Sequence, residues 1–591
     1  MSIKNKNSLI TLVKTYSQKF LSKQFIRSTR TQLFLVVFFV NLLFIPVGIA
    51  SPNEGSRYLL TKTIVENDSF AWPASWFNNQ SGYWFFPDFG VDNGFISDKA
   101  PGMSLVLVPC YLLGKGLYQL IYGVNTNNAV YSSFDDFMIY FLKICIIFFA
   151  SLLAVKLFDL LELINQNKKH NLSIVLVCSL GSLFFLYTPT LFPAVISALL
   201  YVYIIYFLLL FVKEKSPVPL LQAGILAGFS IVVEYGSLLM IPWFIWFILI
   251  YSLESGLSTI LKRILIFVTF VLIGFSPLFV YNYVLSGDPF VTSYFFSHWI
   301  SFIHFYHNIF DGLLLLLVDP NKGLFILNPI LFFACIGFFV PSYFKKHYRE
   351  LIIIVFPCLM FIVFYAKNFD PSGGTAVGPR YIIALIPLLS IGLQGWLSIR
   401  SIRANDLTIL SGLITIYKSV FLSLGIGILP ISNTDNPVQS EAIPLFLSGH
   451  FNPILAKIEP LLFFLFISLI FLTIYLVYKD QIRILVQKLV NQIRLTMKEI
   501  DIETENVVKT DQKVVFNTKS NIIITLTLWS FFLYTAVFLL IGTQVLSKQY
   551  YLKSNPNELT DLLFIIVLLL VALSATLKSY LSFKQIPLSR K

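Results

Sequence analysis

"MSLVLVPCYLLGKGLYQLIYG", residues 103–123, decides how the chain is threaded. It is long and apolar enough to cross a bilayer as a helix. Against that, Pro109 interrupts it, Lys115 stands between two glycines, and its tyrosines favour a membrane interface. Other apolar windows of spanning length fall near 32–50, 136–158, 172–187, 190–212, 219–235, 237–253, 261–285, 323–341, 350–366, 380–398, 408–429, 460–478, 521–546 and 561–582. Basic clusters lie in the leader from Lys4 to Arg30, at Lys168 and Lys169, Lys213 and Lys215, Lys262 and Arg263, Lys345 to Arg349, Arg400 and Arg403, Lys479 to Lys519, and Lys584 to Lys591. If 103–122 crosses, every cluster from Lys168 onward moves to the side opposite the leader. If it lies in the interface, or dips and returns, all clusters share the cytoplasmic side. The expectation is therefore an all-α polytopic membrane protein of about 14 transmembrane helices, with a large extracytoplasmic first loop containing interfacial helices. The alternative is that 172–187, or the segment around Glu234, fails to span instead.

Composition agrees with this class. Of 591 residues, 57% are hydrophobic and only 12% charged, too apolar for a soluble protein of this length. Lys and Arg outnumber Asp and Glu by 43 to 30, and the placement of that excess points to lipid topology and away from nucleic acid. The cysteines (Cys110, Cys145, Cys178, Cys335, Cys358) lie in or beside apolar runs, without paired spacing or a His cluster, so neither a disulfide framework nor a zinc site is indicated. "TQLFLVVFFVNLLFIPVGIA" has too long a basic leader for a cleaved signal and reads as an uncleaved first span.

The expected organisation is a cytoplasmic basic leader at 1–31, a transmembrane catalytic module at 32–400 with its first outer loop at 51–135, and additional helices at 401–591. The latter include a basic inner loop, 479–520, that begins either as an amphipathic surface helix or as an extension of the preceding span. With no repeat and no soluble domain, an active site must be built from outer loops and span ends.

The first loop opens "SPNEGSRYLL", placing Glu54 and Arg57 at the membrane surface, where ionisable groups are costly unless used or paired. Glu54 and Arg57 read either as a helical i, i+3 pair or as a general base beside a phosphate-binding cation. In "FFPDFGVDNGFISDKAPG", the turn signals Asn93-Gly94 and Pro101-Gly102 bracket a loop that presents Asp98 and Lys99. Asp88 reads as an ordinary turn residue. Later outer segments add Asp288, His298, Asp319, Lys322, Arg380 and Tyr381. Gly373, Gly374 and Gly378 let backbone approach a ligand, and Arg380 reads as either a phosphate clamp or a snorkelling anchor. Glu234, in "IVVEYGSLLMIP", reads as helix-turn packing.

Taken in order, "PNEGSRYLLTKTIVE", "NGFISDKAPGMSLVLVP", "YTPTLFPAVISALL", "GILAGFSIVVEY", "YNYVLSGDPF", "DPNKGLFILNP" and "GPRYIIALIPLL" resemble the integral-membrane glycosyltransferases of the GT-C type, the superfamily of protein O-mannosyltransferases and aminoarabinose transferases. The resemblance runs from about residue 32 to 400. It implies transfer of a sugar from a polyprenyl-phosphate carrier to an acceptor hydroxyl on the extracytoplasmic side, usually with inversion. The acceptor could be a lipid, a protein or a glycan. It also implies a first-loop carboxylate as base, often within an Asp-Glu pair. This chain has Asn53-Glu54 there, which makes Glu54 the first candidate base and Asp98 the second. Arg57, Lys99 and Arg380 become donor-phosphate ligands, with Asp288, His298, Lys322 and Tyr381 as further substrate contacts. A divalent cation on Asp98 or Glu54 is compatible but not required. Two other classes stay open: a lipid-linked oligosaccharide flippase or other transporter, and an inactive relative serving as an assembly factor.

Overall fold

The computed structural model describes residues 28–49, 51–73, 89–91, 94–123, 133–293, 307–368, 370–399, 401–428 and 437–458. The windows at 460–478, 521–546 and 561–582, the loop 479–520, His298 and Asp88 lie outside the described residues.

α1 (Thr29–Leu43) starts where Ser28 caps the Thr31 amide. It ends short of Pro46, which has no amide to continue a helix. The chain there pairs instead with a distant segment, Val47 N donating to Asn452 O at 3.3 Å and Ile454 N to Ile45 O at 2.9 Å. α2 (Pro52–Glu66) follows, with Ser51 as N-cap and Pro52 in its first turn. Its polar residues are nonetheless buried, including Glu54, Arg57, Thr61 and Lys62. Next comes a feature the all-helical expectation lacked, a small antiparallel sheet in the order β1 (Ala71–Pro73), β3 (Gly94–Ile96), β2 (Phe89–Val91). β2 and β3 are separated by two residues in sequence, as in a tight hairpin.

α3 (Gly102–Tyr122) is the helix on which the threading turns. It is one of eight described segments long and apolar enough to span. Its neighbours determine where it runs. Tyr118 meets Ser133 at 3.3 Å at the start of α4 (Ser133–Ile164), and Gly114 sits against Met138 and Phe141 of the same helix. α3 thus lies antiparallel to the first part of α4. At its other end, Gly102 presses on Val232 and Val233, which end α8 (Pro217–Val233). Between α4 and α8 the chain passes through α5 (Lys168–Leu176), which continues through a π turn (Val177–Gly181) and α6 (Leu183–Tyr187), and then α7 (Ala194–Glu214). With each of these crossing once, four passes return the end of α8 to the face where α4 begins. On that count both ends of α3 share one face, the threading that the loop charges favour. α4 has room for it, since 32 residues make a rod of roughly 48 Å, well beyond a hydrocarbon core of about 30 Å.

Polar contacts hold this arrangement. Lys62 pairs with Asp135 at 2.7 Å and Lys115 with Glu66 at 2.7 Å, so one stripe of α2 docks on both α3 and α4.

Glu234 stands in extended backbone between α8 and a 3₁₀ turn (Tyr235–Met240) that leads into α9 (Ile241–Ser252). α10 (Leu257–Ser286) packs tightly on α8, because Gly228 and Gly274 admit the partner backbone: a Cβ on either would come within 2.0 Å of a carbonyl oxygen. α11 (Ile309–Val318), α12 (Leu324–Leu327), α13 (Pro329–Phe338) and α14 (Pro341–Ala366) follow. A 3₁₀ turn (Arg380–Leu385) then runs into α15 (Ile386–Ser390) and α16 (Leu393–Leu397), and α17 (Ile402–Gly425) is the last long described helix.

One face collects Lys168, Lys169, Lys213, Lys215, Lys262, Arg263, Lys345 and Lys346. There Gln394 donates to Leu161 O (2.9 Å) and Asn171 Oδ1 (2.6 Å) and accepts from Tyr343 (2.7 Å), tying α4, α5, α14 and α16 together. The opposite face carries the functional groups.

Candidate functional site

The segment Ser97-Asp98-Lys99 is held from three sides. β3 delivers it, with Trp72 on β1 fully buried behind. Ser97 Oγ meets Ser56 Oγ of α2 at 2.6 Å, and Tyr281 of α10 donates to Ser97 O at 3.3 Å. Pro101-Gly102 then starts α3 against the end of α8, a contact closed to any side chain because a Cβ on Gly102 would lie 2.5 Å from Val233 N. This places Asp98 and Lys99 beside Glu234. The two form an ion pair with each other, and Tyr235 lies within electrostatic reach of both Asp98 and Glu234.

Arg57, one turn into α2, donates to Asn53 O at 2.8 Å and lies 5.7 Å from the Phe192 ring centroid. Glu54, on the preceding turn, is fully buried and accepts the Leu191 amide at 2.7 Å. It faces the Lys143 ammonium, which in turn donates to Pro46 O and Gly48 O. Glu54 thereby joins α2 to the turn between α6 and α7.

Arg380 arrives from the far side of the chain. Its placement depends on Gly373 (φ +86°), where a Cβ would sit 2.6 Å from Arg380 Nε. Asp370 shapes that loop by accepting from Ser372 Oγ (2.8 Å) and Gly373 N (3.1 Å). Lys322 braces it by donating to Gly374 O at 2.8 Å and to Ala376 O. Burial, reinforced by the charge of Arg380 and opposed by Asp370 and Asp319, brings the Lys322 ammonium down to about 8. Tyr381 stacks on Tyr365 of α14 at 4.5 Å and 15°, and Tyr365 donates to Glu234 Oε1 at 3.4 Å.

Glu234 is where the pieces meet. Arg57, Arg380 and Lys99, drawn from three separate segments, all act on its carboxylate. Burial nevertheless pushes the carboxyl above its ordinary range, and these cations pull the other way. Its side chain remains partly accessible, as do Arg380, Lys99 and Lys322, so the cluster borders open space.

Of the residues singled out from sequence, Asp98, Arg57, Lys99, Arg380, Tyr381 and Lys322 lie in or next to this cluster. Asp288 does not: it is exposed and caps its own turn, accepting Phe290 N at 2.9 Å just after Gly287 ends α10. Sequence reading took Glu234 for helix-turn packing and did not single out Tyr365, because nothing local reveals the three distant cations that the fold brings to an acid in an apolar turn. Among the described residues, no three His, Cys, Asp or Glu side chains come together as a metal site. Elsewhere among the described residues, an apolar cavity of about 690 Å³ opens between Leu313, Leu317, Phe325, Pro329 and Phe333, with Lys418 at its wall.

No family model and no curated protein matches the chain. Solved structures similar to it include ArnT from Cupriavidus metallidurans bound to undecaprenyl phosphate, at 14% identity over 67% of this chain and 64% of that one, with a TM-score of 0.42. Another is the oligosaccharyltransferase of Archaeoglobus fulgidus in its apo form, at 11% identity over 68% and 56% with a TM-score of 0.39. A third is AglB from Archaeoglobus fulgidus in complex with an inhibitory peptide and a dolichol-phosphate, at 13% identity over 68% and 56% with a TM-score of 0.39. The chain spans less than two thirds of the length of each.

Proposed function

We propose that the chain is a GT-C-type membrane glycosyltransferase that moves a sugar from a polyprenyl-phosphate donor to an acceptor hydroxyl. The observation that carries the reading is the convergence of Arg57, Lys99 and Arg380 on one partly accessible recess that also holds Asp98. Three cations from distant parts of the chain suit a phosphodiester, whose charge rises as the sugar departs.

In the transfer, the acceptor oxygen bonds to the anomeric carbon and the bond from that carbon to the phosphate oxygen breaks, with its electron pair leaving on the phosphate. The acceptor proton passes to a carboxylate, for which Asp98 is better placed than Glu54. Glu54 holds the Leu191 amide and faces Lys143, a positioning role that fixes the start of α2 and hence Arg57. A divalent cation on Asp98 would add charge at the phosphate, but three side-chain cations already supply the main requirement. The apolar cavity lined by α11, α12 and α13 suits the isoprenoid tail. With the basic loops cytoplasmic, the site faces outward in a multi-pass protein of the cell membrane. The module at 32–400 would carry the reaction, with the helices beyond it as an addition.

A transporter would place its working charges near the bilayer midplane, whereas these gather at helix ends. The test is transfer of labelled sugar from a short-chain polyprenyl-phosphate donor. Arg380→Ala and Asp98→Asn are each expected to lower kcat/KM by about 100-fold or more, and Glu54→Gln by less. Full activity in all three variants would overturn the assignment.

A further inference from the structure

We infer that Glu234 is itself part of the donor-phosphate site, standing among the cations where the phosphodiester lands and taking up a proton when it does. The inference rests on the donor reading above and adds to it a residue that reading does not use.

Glu234 lies at the turn between α8 and the following 3₁₀ turn, and Gly102 clamps the end of α8 from the other side, so the backbone there has little freedom to withdraw. Arg57 comes from α2, Lys99 from the segment after β3 and Arg380 from the turn before α15, and all three act on this one carboxylate. Among the described residues, Tyr365 also donates to its Oε1 at 3.4 Å, and Tyr235, which also reaches Asp98, lies within electrostatic reach of it. Tyr381 stacks behind Tyr365, and Lys322 lies within electrostatic reach of Arg380, Asp370 and Asp319.

A phosphodiester bound to those three cations comes to rest beside the Glu234 carboxylate. Two anions within a few ångströms of each other in a partly buried recess repel strongly, and protonating the carboxyl removes the conflict. Burial already favours the neutral acid, and the cations that oppose it are the ones the phosphate engages. Binding therefore raises the affinity of Glu234 for its proton. The neutral carboxyl then serves as a hydrogen-bond donor to a phosphate oxygen, an interaction that strengthens as charge develops there.

The sign of the linkage follows. Affinity for a phosphodiester is highest below the pKa of Glu234 in the empty site, falls by about tenfold per pH unit up to its pKa in the complex, and is flat above that.

The experiment measures binding of a short-chain prenyl phosphodiester, whose single acidic proton is lost well below the assay range so that its own charge stays constant, to the full chain in detergent. Wild type is expected to tighten by about tenfold for each unit of acidification within the linked window, and calorimetry in two buffers of different ionisation heat should show uptake of about one proton there. Glu234→Gln should bind as tightly as acidic wild type with no slope and no proton uptake. Asp98→Asn should keep both the slope and the uptake. Wild-type binding that is independent of pH and takes up no proton overturns the inference while leaving the donor reading intact. A slope that survives in Glu234→Gln but vanishes in Asp98→Asn assigns the proton to Asp98 and also overturns it. Wild type that fails to bind the probe at any pH overturns the donor reading, and this inference with it.

Discussion

Lys322 shows how one side chain serves two ends with opposite pH dependence. Its ammonium braces Gly374 and Ala376 beneath Arg380, and burial has brought it down to about 8. Because the folded pKa lies below the ordinary value, folding disfavours the charged form, so this group's contribution to stability rises as pH increases from about 8 toward the unfolded value. The positive charge near Arg380 is lost over the same range. Transfer activity is expected to fall as pH passes about 8, and Lys322→Arg should move that limb to higher pH. An unchanged alkaline limb in the pH profile of Lys322→Arg would mean that another group sets it. At this scale sequence singled out Arg57, Asp98, Lys99 and Arg380, whose neighbours are turn residues and span ends, and the fold brings them near one another. It read Glu234 as helix-turn packing, because the cations that surround it come from positions 57, 99 and 380. A carboxylate in an apolar turn looks the same whether packed or poised. Asp288, read from sequence as a substrate contact, is exposed and accepts the Phe290 amide of its own turn, away from the cluster.

Elements raise a different question, namely what keeps α2 and α3 on one face. α2 is too polar to be held by apolar burial alone, and the Lys62–Asp135 pair, with both side chains less than a tenth exposed, supplies a specific anchor. Tyr58 adds a hydrogen bond to the same carboxylate. Removing one partner leaves a buried charge uncompensated, so Lys62→Met should destabilise the protein by about 3–5 kcal/mol. The double change Lys62→Met with Asp135→Leu should recover much of that loss. A melt in detergent reads both, and a single variant as stable as wild type would show the pair to be dispensable. The α8–α10 contact depends on shape: Gly228→Leu has no space against the Val271 carbonyl and should lose folded protein in fluorescence-detected size exclusion. Helix positions were readable from apolar windows because long apolar runs have few other outcomes in a membrane chain. The small sheet escaped notice because its strands are three residues each, below any useful periodicity. The interruption of 172–187 by a π turn and Ser182 is likewise a tertiary adjustment without a period of its own.

For the whole molecule, charge parity among loops predicts that 103–122 leaves and rejoins the same face, while by length and composition alone α3 is one of the eight described segments able to cross a membrane. A cysteine at Tyr122 in a cysteine-free background should label from outside in intact cells, while one at Lys215 should label only after permeabilisation. Labelling of both under the same condition would contradict the threading. The central claim is that side chains separated by more than 300 positions, Arg57 and Arg380, grip the same phosphate. It is tested most directly by an experimental map of the full chain with a short-chain polyprenyl phosphate. The account predicts phosphate density within hydrogen-bonding distance, about 3 Å, of Arg57, Lys99 and Arg380, with Glu234 beside it. Density that lies on the basic face, or that contacts neither arginine, would contradict it.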